Sequence, residues 1–341
     1  MKEQTVIKPL VAAALVVCLP NIASGQSELA NVAWTATRTA EGQPDLQGIW
    51  TNNAATPMQR PEVLADKEIL TEEELAELRQ QVAEFRDNEQ AGDLLGDRLF
   101  QQALGNSKYN DFDEVTGNYN AFWLVERELD NRTSLIVDPP NGRYPPLTPM
   151  GQQRALERRA YMAEHPSDGP EDRTLSDRCL HFGAPRLGAG YNSYFQILQT
   201  PGYVTILQEM GHEARVIPLD GRPHLGRDLR LWNGNGRASW EGDTLVIETT
   251  NFSKKSRWQG ASENLTMVER YTRIGPDTVQ QEVTFNDPTT WTQSWTVRIL
   301  LKKTEEPLFE YACHEGNYAM EGILGGARVE EAEALTGVQV R

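Results

Sequence analysis

The chain has 341 residues, 39% of them hydrophobic, with 49 acidic against 33 basic side chains and a net charge of −16. That length supports one large domain or two small ones. A surface so acidic repels polyanions, which excludes nucleic acid and anionic membranes as partners and leaves a small-molecule ligand.

In chain order, Lys2 and Lys8 precede the apolar run "PLVAAALVVCLPNIA" (9–23), and the small residues Ala23, Ser24 and Gly25 follow before Gln26. This reads as a cleavable signal peptide of bacterial type over 1–25, cut near Gly25 and too short to span a bilayer. No other stretch is apolar enough for a membrane span, so the expected location is periplasmic or secreted. Residues 26–60 read as irregular. "TEEELAELRQQVAEF" (71–85) reads as a helix, with Thr71 and Glu74 as a capping box and Leu75, Leu78 and Val82 on one face. The polar stretch 87–120 reads as a loop, either a lid or passive. "RTSLIVDPPNGRYPPL" (132–147) reads as a strand, a turn and a short return, and 148–165 as a helix with Thr148 as cap and Pro149 in first position.

From about 191 the pattern changes to short β segments joined by tight turns. "FQILQTPGYVTILQE", "RASWEGDTLVIETT" and "MVERYTRIGPDTVQQEVTFND" read as hairpins, and "ARVIPLDGRP" as a strand. "SWTVRILLKKTEEPLFEYAC" is expected to add two strands, and "RVEEAEALTG" a short polar helix or tail. Consecutive antiparallel strands of this kind close into a barrel or curve strongly, because closure removes exposed edges. The fold class is therefore α+β: an antiparallel β-barrel or strongly curved meander with N-terminal helices packed on it. The expected organisation is one domain over 26–341, with a helical and irregular part (26–190), a barrel part (191–320) and a C-terminal tail (321–341).

Three cysteines less Cys18 in the leader leave Cys179 and Cys313. In an oxidising compartment these make one disulfide, closing a loop whose cross-link is worth roughly 4–5 kcal/mol in the chain-entropy model.

Candidate chemistry clusters in three places. "QEMGHEARVIPLDGRPH" (208–224) holds Glu209, His212, Glu213, Arg215, Asp220, Arg222 and His224, and five arginines without a lysine fall between 215 and 237. Arginine suits bidentate capture of a carboxylate, so Arg215 and Arg222 are candidate ligand-binding residues; pairing with nearby acids is the competing reading. "RCLHFG" and "YACHEGNY" place His181 and His314 next to the two cysteines, so the disulfide is expected to bring these histidines into one neighbourhood, with Glu315 beside His314 on a strand. His314 or His212, with Glu315, Glu209 or Glu263, is the candidate acid–base set. Two histidines and a glutamate also suit a divalent metal, but no H-x-H or H-x-x-x-H spacing occurs, and no cofactor is expected. Trp240, Trp291 and Trp295 lie in the β region as candidate walls of a ligand pocket, or as core. No G-x-S-x-G elbow or phosphate-binding glycine loop is present.

"GIW" (48–50) is similar to the G-x-W that opens the first strand of lipocalin-like barrels, where the tryptophan plugs one end beneath an arginine; Arg298 is the expected partner. The segments "PDLQGIWTN", "WEGDTLVIETTNF", "DPTTWTQSWT" and "YACHEGNYAMEGILGGAR", with others between 44 and 328, resemble a family of secreted bacterial proteins of uncharacterised activity. That resemblance implies secretion and one integrated domain, and carries no reaction. Two functions are expected to compete. One is a small-molecule lyase, isomerase or hydrolase acting on a carboxylated sugar-like or aromatic compound. The other is a non-catalytic lipocalin-like binding protein.

Overall fold

A computed structural model describes residues 34–86, 100, 104, 127–183, 185–256 and 258–337. The expected signal peptide (1–25) and, apart from Phe100 and Leu104, the 87–120 segment lie outside the described residues. The strands are β1 (Gly48–Thr51), β2 (Ile136–Asp138), β3 (Tyr194–Thr200), β4 (Tyr203–Gln208), β5 (Glu213–Pro218), β6 (Asn235–Glu241), β7 (Thr244–Thr250), β8 (Thr266–Gly275), β9 (Thr278–Asn286) and β10 (Trp295–Thr304). They pair in the order β5-β4-β3-β1-β10-β9-β8-β7-β6, with β2 added on β10, and every ladder is antiparallel. The result is a nearly closed antiparallel barrel. At the seam β5 and β6 approach without a ladder: a Cβ on Gly236 would stand 3.4 Å from the Ile217 side chain.

The three hairpins and β5 form where the turn residues and alternation place them. In β9, Val279, Gln281, Val283 and Phe285 alternate inward, and in β10, Trp295, Val297, Ile299 and Leu301 do the same. Other expectations are corrected. β1 comes from the supposedly irregular 26–60 and sits between β3 and β10, so the barrel draws strands from outside 191–320. Only one strand follows "QSW": residues 305–317 run without regular structure into a turn, so Cys313, His314 and Glu315 are not on a strand. Pro307 has no N–H to give a ladder, and residues 305–317 find no strand partner. The tail from 321 belongs to a helix, α3 (Tyr318–Thr336).

The other helices are α1 (Glu72–Arg86) and α2 (Pro149–Glu164). The Thr71–Glu74 capping box forms, with backbone-to-side-chain bonds of 2.9 and 3.3 Å. Leu75, Leu78 and Val82 bury with Ala55, Leu70, Phe100 and Leu129 in a cluster apart from the barrel core. In α2 the Thr148 hydroxyl accepts from Gly151 N (3.0 Å) and donates to Thr289 O (2.8 Å). A Cβ on Gly151 would stand 2.5 Å from Thr290 O, so only glycine lets the helix seat this closely on the β9–β10 link. Among the described residues no helix is long and apolar enough to cross a membrane.

Antiparallel order gives the barrel two unlike ends. The β3–β4, β6–β7 and β8–β9 hairpins turn at one end, each through a two-residue loop. The links 209–212, 251–265 and 287–294 all fall at the other, which we call the mouth. Near the hairpin end Trp50 is fully buried, its Nε1 donating to Leu46 O at 2.9 Å. The arginine over its ring is Arg273, 5.8 Å from the ring centroid, rather than Arg298, which pairs with Glu282 on neighbouring β9. Strand parity decides this: Arg298 alternates with the inward residues of β10 and so faces out.

Candidate functional site

The barrel interior carries one polar cluster. Arg215 on β5 reaches across to Glu269 on β8 in two bonds of 2.5 and 2.9 Å. The Tyr271 hydroxyl donates to Glu269 (2.7 Å), and Gln281 Nε2 donates to the Tyr271 oxygen (2.9 Å). Glu269 is 0% exposed and Arg215 9%. Burial, and then the Glu269 charge, push the Tyr271 phenol well above its ordinary range. This cluster is internally paired and leaves Arg215 no free edge for a ligand.

Three of the other four arginines of 215–237, all but the exposed Arg227, are also occupied. Arg222 pairs with Asp220 on the surface. Arg230 donates to Phe252 O and Glu263 O, with the Glu263 carboxylate 3.9 Å away. Arg237 donates to Arg222 O and Pro223 O. His224 Nδ1 lies 2.9 Å from Asn235 O along the seam. The expected anion site in this stretch is thus replaced by intramolecular bonds, because acids and carbonyls lie within reach of these guanidinium groups.

The histidines occupy different environments. His212 is exposed, on a positive φ of 51°. His314 and Glu315 are exposed in the C-terminal turn. Glu209 is buried as a structural acceptor, taking bonds from Asn192 Nδ2 (2.6 Å) and Phe309 N (3.0 Å). Trp291 and Trp295 are core: Trp295 stacks on Phe285 (4.2 Å) and meets Trp291 edge-on (5.4 Å). Trp240 packs against the same core. The Cys179–Cys313 disulfide forms, with Cα atoms 5.6 Å apart and a sequence separation of 134. Among the described residues no group of three or more His, Cys, Asp or Glu side chains is placed to share a metal ion.

One expected residue does sit in a cavity. A cleft of about 760 Å³ lies at the mouth, between α2, the 171–188 segment and the 255–258 link. His181 lines it. Its imidazole is 5% exposed, and Nδ1 lies 2.7 Å from the Glu213 carboxylate. The second Glu213 oxygen accepts from Gln208 Nε2 (3.1 Å), which also donates to Gly183 O (2.8 Å). A carboxylate oxygen accepts, so Nδ1 is the donor in this pair and Nε2 is the ring nitrogen left for other partners.

The cleft floor is aromatic. Trp258 and Tyr144 line it, and behind them Trp258 stacks on Phe285 (4.3 Å) while Tyr144 meets Trp295 edge-on (4.8 Å). Its walls are cationic: Arg158, Arg173, Arg178, Arg186 and Lys255 face Glu171 and Asp172, in a chain of net charge −16. Arg178 is neutralised by Glu171 (2.8 and 3.0 Å) and Arg173 by Asp177 (3.2 Å). Arg186 has no such acid. Its Nη2 donates to Tyr191 O at 3.2 Å, and its Nε is enclosed without a hydrogen-bond partner. Burial lowers its pKa, and no carboxylate offsets that.

The disulfide fastens this wall. Close to it, Asn317 Nδ2 donates to Asp177 O (2.9 Å) and Tyr311 meets Phe182 edge-on (5.2 Å). Phe182 in turn rests on Gly211, where a Cβ would stand 2.6 Å from its ring. Glu213, Arg186, Tyr144 and Trp258 were absent from the sequence-derived site. For Arg186 the usable signal was its position five residues beyond His181 in a segment rich in arginine and poor in lysine. No family model, curated protein or solved structure matches the chain.

Proposed function

We propose that this chain is a secreted or periplasmic small-molecule enzyme that works by acid–base chemistry on a carboxylated sugar-like or aromatic compound held in the mouth cleft. The observation that carries the reading is the His181–Glu213 pair in the cleft wall, with Nδ1 and carboxylate 2.7 Å apart. A carboxylate behind an imidazole holds one tautomer and one ring orientation, and it stabilises the imidazolium when Nε2 takes a proton. His181 is then the proton-transferring residue and Glu213 its positioning partner. Proton removal or delivery of this kind serves a lyase, an isomerase or a hydrolase alike. The disulfide is compatible with an oxidising compartment.

A lipocalin-type calyx is the weaker reading. Trp50, Trp295, Tyr271, Phe285 and Met267 are fully or almost fully buried and occupy the barrel interior that such a ligand would need. The test is a turnover screen of aromatic and sugar-derived acids by mass spectrometry, with wild type beside His181→Gln. The expected result is at least one compound consumed by wild type and a loss of roughly 100-fold or more in the variant, at unchanged far-UV circular dichroism. Equal turnover by the two proteins, or none across the screen, would sink the acid–base reading.

A further inference from the structure

Resting on the cleft as the ligand site, we infer that Arg186 is the specificity-determining residue and that it anchors the carboxylate of an aromatic acid whose ring lies on the Tyr144–Trp258 floor.

Three observations support this. First, Arg186 differs from its neighbours. Arg173 and Arg178 line the same cleft but each holds an acid of this chain, whereas the half-buried Arg186 guanidinium holds one backbone carbonyl and, among the described residues, meets no carboxylate. Enclosing a guanidinium without a counter-charge is unfavourable, so folds seldom retain one unless something outside completes it. Second, an anion is the partner that a half-buried guanidinium calls for, and a carboxylate offers its N–H donors two acceptors. Third, the surface beside it is apolar. Met58, Tyr144, Met162, Phe182, Leu187 and Trp258 line the cleft. A pyranose turns hydroxyls outward all round its ring, and this floor would leave several of them without partners. A flat aromatic ring needs none. The cleft's 760 Å³ falls in the ordinary range for small-molecule sites.

The test is isothermal titration calorimetry of the disulfide-intact protein with benzoate, benzamide, galacturonate and phenyl phosphate. Binding is read without turnover, so this result is independent of whether His181 is catalytic. Benzoate is expected to bind at least tenfold tighter than its neutral isostere benzamide and tighter than galacturonate. In Arg186→Met, benzoate affinity is expected to fall roughly tenfold to a hundredfold, with benzamide affinity unchanged and thermal stability equal or higher. If Arg186→Met does not fold, the benzoate–benzamide difference in wild type still decides the point. Equal affinity for benzoate and benzamide, or equal benzoate affinity in wild type and variant, would overturn the assignment of Arg186. Tighter binding of galacturonate would overturn the aromatic class, and tighter binding of phenyl phosphate the carboxylate.

Discussion

The barrel interior holds a buried arginine and the cleft over its mouth a half-buried one, and the two are treated in opposite ways. Arg215 meets Glu269 in two hydrogen bonds, and Tyr271 and Gln281 complete the shell around that carboxylate. Arg186 is left with one carbonyl and an idle Nε. The backbone differs in the same sense. The hairpin end turns in two-residue loops and buries Trp50 under Arg273, whereas the mouth carries links of up to 15 residues between strands, from 251 to 265. A rigid sheet with short turns holds a closed polar network, while long links can present side chains to something outside. The chain supplies the carboxylate that Arg215 needs, whereas the one proposed for Arg186 comes from the ligand.

The largest expected effect tests the closed arginine. Glu269→Ala leaves Arg215 charged and alone among apolar side chains, and should cost about 3–5 kcal/mol in urea unfolding. Replacing both partners with apolar residues of similar volume should restore most of that loss. Recovery would show that the pair is a satisfied core element. Failure to recover would mean that the network supplies more than mutual neutralisation.

The disulfide tests the other region. Removing it as Cys179→Ser with Cys313→Ser should cost about 2–5 kcal/mol. It should also weaken benzoate binding, because the bond fastens the segment that carries His181 and Arg186. A stability loss with no change in affinity would show that the Asn317 and Tyr311 contacts hold the wall without it.

The smallest effect is pH-dependent and also falls at the mouth. Asp287 caps the β9–β10 link. Partial burial raises its pKa, but hydrogen bonds from Thr290, Thr289 and Ser262 outweigh this and hold it below its usual 3.8. A depressed folded value stabilises above the unfolded one and is lost as pH falls through it. The melting temperature should therefore drop on acidification below about pH 4, and Asp287→Asn should flatten that part of the curve. An unchanged slope in the variant would remove Asp287 from the account.

Much of the barrel was legible because its signals are local. Alternation in β8, β9 and β10, the Gly242-Asp243 turn and the Thr71–Glu74 box each depend on residues a few positions apart. The disulfide was legible by elimination, since two cysteines in an oxidising compartment have one way to pair. The site was not legible to the same degree. His181 was noticed for its cysteine, yet its partner Glu213 is 32 residues away, and the arginines of 215–237 drew attention that belonged to Arg186.

By itself, then, the sequence determined the hairpins, the capped helices, the disulfide and the buried tryptophan of "GIW". These follow from backbone conformation, alternation and cysteine count, all readable within a short window. Only the tertiary structure decided that β1 lies between β3 and β10, that Arg273 rather than Arg298 covers Trp50, that Glu269 claims Arg215, and that no carboxylate among the described residues pairs with Arg186. Which charge meets which depends on how the barrel closes, and closure brings together side chains that no local pattern relates.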